Sequence, residues 1–256
     1  MRFFTDLNRN RIISEPFPEQ WREYLHAKFR VYNLLSEDDR RKLEDYLRIF
    51  IAEKLWEGCG GLELTDEMKV LISAQACLLN LHRQHNYYSN VQTVLVYPTA
   101  YRSRQKRMLP GGVYTEEESA LLGESWQSGP IVLSWRDALD GAMDPDDGHD
   151  VVYHEFAHKL DSTDHEMDGV PLLENSEQVD DYAEVMSKEF EQFTERVHHG
   201  YKTLIDPYGA TNGAEFFAVA TETFFEEPVE LRDSHPDLYR VLKGYYHQDP
   251  AEWFER

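Results

Sequence analysis

His154 and His158 stand four residues apart, with Glu155 directly after the first and Phe156 and Ala157 between. On a helix of 3.6 residues per turn, positions i and i+4 lie about 40° apart, on one face. Two imidazole nitrogens so placed can reach one Zn²⁺, and the glutamate beside the first can take a proton from a water held there. The chemistry this spacing suits is metal-assisted hydrolysis of a peptide bond. Five residues alone can arise by chance, so the surroundings decide. The competing explanation is an amphipathic helix with exposed histidines. Val151, Val152, Phe156, Ala157 and Leu160 instead mark a core-facing helix, and ionisable groups buried there need partners.

A zinc peptidase has three protein ligands and leaves one position open. If the third ligand followed on the same segment, a Gly would stand three residues after the second His and a His three further on. Those positions are Asp161 and Asp164, and His165 is out of register. Asp164 could substitute, without the turn that the Gly permits. The other source is the later apolar segment Ala214-Glu215-Phe216-Phe217-Ala218. Glu215 is expected to face inward, where metal coordination would compensate its burial. It also forms a plausible capping pair with Asn212. Glu222, two turns on and nearly on the same face, is the alternative ligand or a supporting carboxylate. Asp161, seven residues after His154, is placed to orient a ligand histidine. His149, His198, His199, His235 and His247 have no ligand spacing.

Tyr153 to Asp161, together with Thr211 to Ala218, resembles the Mlc titration factor A family of glucose-regulated metallopeptidases. Leu95-Val96-Tyr97-Pro98 and Val132-Leu133-Ser134-Trp135 are similar to that family too. The two active-site segments resemble, more distantly, the catalytic domain of anthrax lethal factor. The resemblance spans about residues 15 to 250. It implies a zincin-like, gluzincin site with His154, His158 and Glu215 as zinc ligands and Glu155 as general base. Tyr208 matches the tyrosine that lethal factor uses near the oxyanion. The lethal-factor-like pattern has an acidic residue four positions after the third ligand, where this chain has Val219. A supporting carboxylate must then come from Glu222 or Asp161. The resemblance implies aminopeptidase-like activity on a peptide or protein substrate. It also implies a second role, the sequestering of a glucose-responsive transcriptional repressor, which needs no hydrolysis. No G-x-M-E-N segment, used by some aminopeptidases to hold a free amine, is present, so exo- and endopeptidase action both stay open.

The elements that must position these residues are legible in outline. Trp21, Tyr24, Leu25, Phe29 and Tyr32 recur at three and four, and residues 19 to 82 read as helices. Ser36 and Thr65 are expected to cap two of them, the first running from there through Leu55 to Gly58. Val91 to Tyr97 reads as a strand stopped by Pro98. A basic cluster (Arg102, Arg104, Lys106, Arg107) and Glu116-Glu117-Glu118 read as a solvated loop. Ser128-Gly129 is expected to turn a hairpin from Glu124-Ser125-Trp126 into a strand over Pro130 to Trp135. That strand precedes the zinc helix and, if an edge, could pair with extended substrate. Helices are expected from about Ser176 to His198 and from Ala214 to Glu226, stopping before Pro228. The expected fold class is α+β, mainly helical, with a small β-sheet beside the active-site helix. Residues 1–256 form one domain, residues 1–85 its helical part and 86–256 the part with sheet and zinc.

Composition narrows the rest. Of 256 residues, 41% are hydrophobic and 13% aromatic, as in a folded globular protein. The formal net charge of −22 argues against direct nucleic-acid binding, which needs Lys and Arg at phosphates, and is compatible with a basic partner. Cys59 and Cys77 form no C-x-x-C, so a cysteine metal site and a disulfide framework are not expected. The first ten residues lack an apolar signal stretch, and no run reaches a membrane span. A soluble cytoplasmic protein without a membrane partner is the expectation.

Overall fold

The computed structural model of the chain describes residues 2–83, 87–99, 104–108, 114–118, 129–164 and 166–255. It opens with helices α1 (Arg2–Ser14), α2 (Glu19–Lys28), α3 (Arg30–Leu34) and α4 (Glu37–Glu53). Ser36 caps α4 as expected: its hydroxyl accepts the Asp39 N–H, and Glu37, Asp38 and Asp39 lie at the positive end of the helix dipole. The helix does not run on to Gly58. Lys54 turns extended, and Leu55–Gly58 is a strand, β1. Its pairing begins where Leu55 N–H donates to Gln92 O at 2.9 Å. Leu55 continues the apolar spacing of α4, so periodicity alone extends the helix past its end. The strand is set by a partner about forty residues away.

Helix α5 (Asp66–Leu79) follows, capped by Thr65 through the Met68 N–H. It is buried from Val70 to Leu79 and packs against α4. Strands β2 (Thr93–Tyr97), β3 (Arg104–Met108), β4 (Tyr114–Glu118) and β5 (Ile131–Ser134) come next. β1, β2 and β5 form a parallel sheet with β2 in the centre. Parallel neighbours need crossovers, and α5 supplies the first. β5 is an edge of this sheet among the described residues and packs against the helix that carries the two histidines.

Within the described residues the two charge runs are strands rather than the expected loop, and Arg102 lies outside those residues. β3 pairs antiparallel with β4, with Arg104 opposite Glu118 and Lys106 opposite Glu116. Residues 124–128, where a hairpin strand and its turn were expected, lie outside the described residues. Trp135, expected in the strand, begins α6 (Trp135–Met143), which Ser134 caps through the Asp137 N–H.

The remaining helices are α7 (Val151–Asp161), α8 (Ser176–His198), α9 (Gly213–Glu226), α10 (Pro228–Ser234), α11 (Pro236–Tyr246) and α12 (Ala251–Phe254). α9 ends at Glu226, before Pro228 as expected, and a further helix, α10, then begins at Pro228. Pro228 and Pro236 occupy first turns, where a missing N–H leaves nothing unsatisfied. One continuous buried cluster runs from Leu25 to Ala251. Phe156 anchors α7 in it, with ring centroids 4.7 Å from Tyr88 and 5.6 Å from Phe50. No described helix is long and apolar enough to cross a membrane.

Candidate metal centre

Two helices build the site. Asp150 starts α7: its Oδ1 accepts the N–H groups of Val152 at 2.7 Å and Tyr153 at 2.9 Å. Val152, Tyr153 and Phe156 turn into the core. The face carrying His154 and His158 turns to α9, the helix in closest company with α7. α9 is buried from Ala214 to Glu226. Asn212 caps it by accepting the Glu215 N–H at 2.9 Å. The capping pair is therefore one-sided, because the Glu215 carboxylate points at the histidines instead of back at Asn212.

His154 Nε2 and His158 Nε2 lie 3.1 and 3.2 Å from the same oxygen, Glu215 Oε2, and 3.2 Å from each other. In a tetrahedral site with metal–ligand distances of 2.0–2.2 Å, neighbouring donor atoms sit about 3.3 Å apart. The triangle has those dimensions. Its three edges cannot all be good hydrogen bonds, since each ring nitrogen carries at most one proton. A shared cation satisfies all three donors at once. Among the described residues, these three side chains form the group able to hold a metal ion.

Glu222 stands behind the triangle. Its Oε1 is 2.8 Å from His154 Nδ1, and its Oε2 accepts the Asp150 N–H at 2.9 Å. A proton on Nδ1 leaves the Nε2 lone pair facing the centre. Glu222 therefore braces His154 from the far side. Asp161 does not orient a ligand histidine. Its carboxylate accepts the Gly169 N–H at 3.0 and 3.2 Å, and His158 Nδ1 is buried without a described partner. The helical register put Asp161 on the correct face, but the chain returns in a turn that sequence spacing does not show. Gly169, at φ +86°, lies so close to α9 that a Cβ there would sit 2.3 Å from Gly213 O. The Tyr182 hydroxyl donates to Gly169 O. His165 and the side chain of Asp164 are outside the described residues.

Val219, the departure from the acidic pattern, has a packing role. A Cβ on Gly209 would sit 2.5 Å from Val219 Cγ2. The buried valine thus fills the space beneath Gly209 and seats the turn that carries Tyr208. That turn is fixed by Asp206 Oδ1 accepting the Tyr208 N–H at 2.7 Å. The half-exposed Tyr208 ring lies 6.1 Å from the His154 ring. Burial, with Glu215 and Glu155 nearby, raises its hydroxyl to about 12.

The charges are mutually dependent. Burial opposes protonation of His154, but hydrogen bonds to Glu215 and Glu222 outweigh it and lift the imidazole to about 10. Burial likewise opposes ionisation of Glu215, and the two histidines overcome it, holding the carboxylate down near 2. Burial raises Glu155, against the pull of His154 and His158. Glu155 is not one of the three converging groups. Lys159, one turn further on, is buried, with Nζ 3.4 Å from Gly129 O just before β5. Asp150 and Lys159 were missed from sequence. Asp150 had a signal, an Asp immediately before an apolar helical run.

The chain matches the model of the family described as glucose-regulated metallo-peptidase M90 over residues 4–247. It is 39% identical over 246 residues to an uncharacterised protein of Synechocystis sp., covering 96% of this chain and 90% of that one. It is 31% identical over 221 residues to the Mlc titration factor A of Klebsiella pneumoniae, covering 85% and 82%. With the Mlc titration factor A of Escherichia coli the identity is 29% over 243 residues, covering 92% and 88%.

Proposed function

We propose, from the premise that the chain belongs to the glucose-regulated metallo-peptidase M90 family, that it is a zinc peptidase of the gluzincin type with His154, His158 and Glu215 as its metal ligands. The observation that carries this is the convergence of two Nε2 atoms and one carboxylate oxygen within 4.8 Å, with Glu155 next to His154 on the same helix. Two imidazoles and a carboxylate suit zinc. Bound there, zinc would polarise a scissile carbonyl and lower the pKa of water. Glu155 takes the proton of the attacking water and passes it to the leaving amine. Burial raises its pKa, which favours taking up that proton before it is passed on. Tyr208 donates a hydrogen bond to the developing oxyanion. Glu222 keeps His154 in the ligating tautomer. Extended substrate lies along the edge of β5. The resemblance favours aminopeptidase-like action by a single domain in the cytoplasm.

A second reading rests on charge and on the names of the relatives. Relatives are called Mlc titration factor A, and a chain of net charge −22 suits a basic partner. The partner would be a transcriptional repressor, bound without direct contact to nucleic acid.

The deciding experiment is elemental analysis of wild type and Glu215→Ala after identical chelator washes, with peptide hydrolysis assayed for Glu155→Gln. About one zinc per wild-type chain, lost in Glu215→Ala, is expected. Glu155→Gln should keep its metal and lose hydrolysis by roughly 10²- to 10⁴-fold. Cleavage surviving in Glu155→Gln would overturn the mechanism, and full metal retention in Glu215→Ala would overturn the ligand set. Repressor capture by Glu155→Gln would separate binding from hydrolysis.

A further inference from the structure

α7 has a second stripe beside the one that holds the metal ligands. Successive residues on a helix step by about 100°, so Glu155 and Lys159 lie together, turned by that angle from His154 and His158. They stand four apart with the acid first, the order that favours attraction between them. The ligand stripe looks at α9. The second stripe meets the sheet at its lower end: Lys159 Nζ lies 3.4 Å from Gly129 O, at the entrance to β5. Lys159 is 6% exposed, and an ammonium is buried at a cost unless partners hold it.

The backbone of the same residue is held as well. Asn90 Nδ2 donates to Lys159 O at 2.8 Å, and Asn90 precedes β2. β2 and β5 are neighbours in the parallel sheet, with Val94 opposite Ile131. One residue of α7 thus ties the entrances of both strands. β5 is short, Ile131–Ser134, and Pro130 before it has no N–H with which to join the ladder. The far end of β5 is fixed by α6: Ser134 Oγ accepts the Asp137 N–H at 3.3 Å, and the Arg136 N–H donates to Pro98 O. The near end has Lys159. Among the described residues β5 is an edge of the sheet, and α7 packs against it.

We propose that Lys159 is a positioning residue for an extended peptide. Its ammonium pins the entrance of β5 to the metal helix, and so sets the gap between Glu155 and the strand edge along which the peptide backbone pairs. This rests on the reading of the three converging side chains as a peptidase centre. A peptide added to a strand edge is held by main-chain hydrogen bonds, and these need donors and acceptors at set distances and angles. If the entrance swings free, β5 keeps its sequence but loses its placement against α7. The loss falls on molecules long enough to reach β5 and spares those that touch the metal alone. Lys159 acts through β5 and not on the reacting bond.

The test uses the full chain loaded with zinc, and two probes followed by titration calorimetry. Acetohydroxamate reaches the metal alone. An N-acetylated trialanine hydroxamate adds a backbone able to pair with β5. Wild type should favour the longer probe. Lys159→Met, which keeps the stem and drops the donor, should weaken the longer probe about tenfold, the worth of one or two strand hydrogen bonds. Acetohydroxamate affinity and zinc content should stay as in wild type. Lys159→Arg, a cation with donors, should recover most of the loss. For a cleaved peptide, Lys159→Met should raise KM about tenfold and leave kcat near wild type, the mark of lost uniform binding. Equal weakening of both probes would make Lys159 a prop of the metal centre and overturn the proposal. So would unchanged affinity for the longer probe, or a wild type that binds the two probes alike; the last needs no variant to fold. If the probe preference and its dependence on Lys159 are as expected but wild type cleaves no peptide, the peptidase reading falls and the role of Lys159 stands.

Discussion

Sequence spacing offers both Glu222 and Asp161 as partners for a ligand histidine, and side-chain geometry separates them. Glu222 grips His154 Nδ1 at 2.8 Å, whereas Asp161 grips a backbone amide. Glu222→Gln should therefore lower metal affinity about 10- to 100-fold, as loss of an outer carboxylate generally does. Competition with a chromophoric chelator measures this. Asp161→Asn should lower Tm and leave metal affinity unchanged; an equal affinity loss in both would show that Asp161 also steadies the centre. The histidine pair was legible because four residues on a helix fix a geometry by themselves. Glu215 was legible as a charge in an apolar run. Spacing could not say whether Glu222 or Asp161 stood behind His154, since the answer lies in how α9 and the Gly169 turn meet α7.

At the level of elements, caps carried most of the legible information. Ser36, Thr65 and Asn212 each accept the amide three residues on. β1 is hidden in the sequence because a four-residue strand offers too short a pattern to compete with a helical stripe, and its partner is remote in sequence. The β3–β4 pair was missed because polar strands have no apolar alternation to reveal them. The close approach of Gly209 to Val219 was equally invisible, yet it sets the Tyr208 turn. Gly209→Ala puts a methyl 2.5 Å from Val219 Cγ2, at a cost of about 1–3 kcal/mol. Peptidase kcat should fall more than KM rises. Adding Val219→Ala should restore most of the loss, a coupling that a double-mutant cycle reads directly. Independent effects of the two changes would remove Val219 from this role.

Across the whole molecule, stability should depend on alkaline pH through a residue far from the metal. Lys54 is 8% exposed and donates to Tyr88 O at 2.7 Å. Burial depresses its pKa to about 8 from the usual 10.5. The unfolded chain binds this proton more tightly, so the penalty on folding is full below about pH 8 and fades as pH rises toward 10.5. Wild type should gain about 2 kcal/mol relative to Lys54→Met between about pH 7 and 9.5, read from denaturant unfolding. An unchanged difference would mean that Lys54 keeps its proton throughout. The hydrogen bond from the Asp150 amide to Glu222 has a consequence of its own. It ties the first turn of α7 to the orientation of His154, so ion occupancy and the opening of that turn are two views of one equilibrium. Loading the centre should slow hydrogen exchange at the Asp150, Val152 and Tyr153 amides together. By reciprocity, any change that frays this turn should weaken binding of the ion.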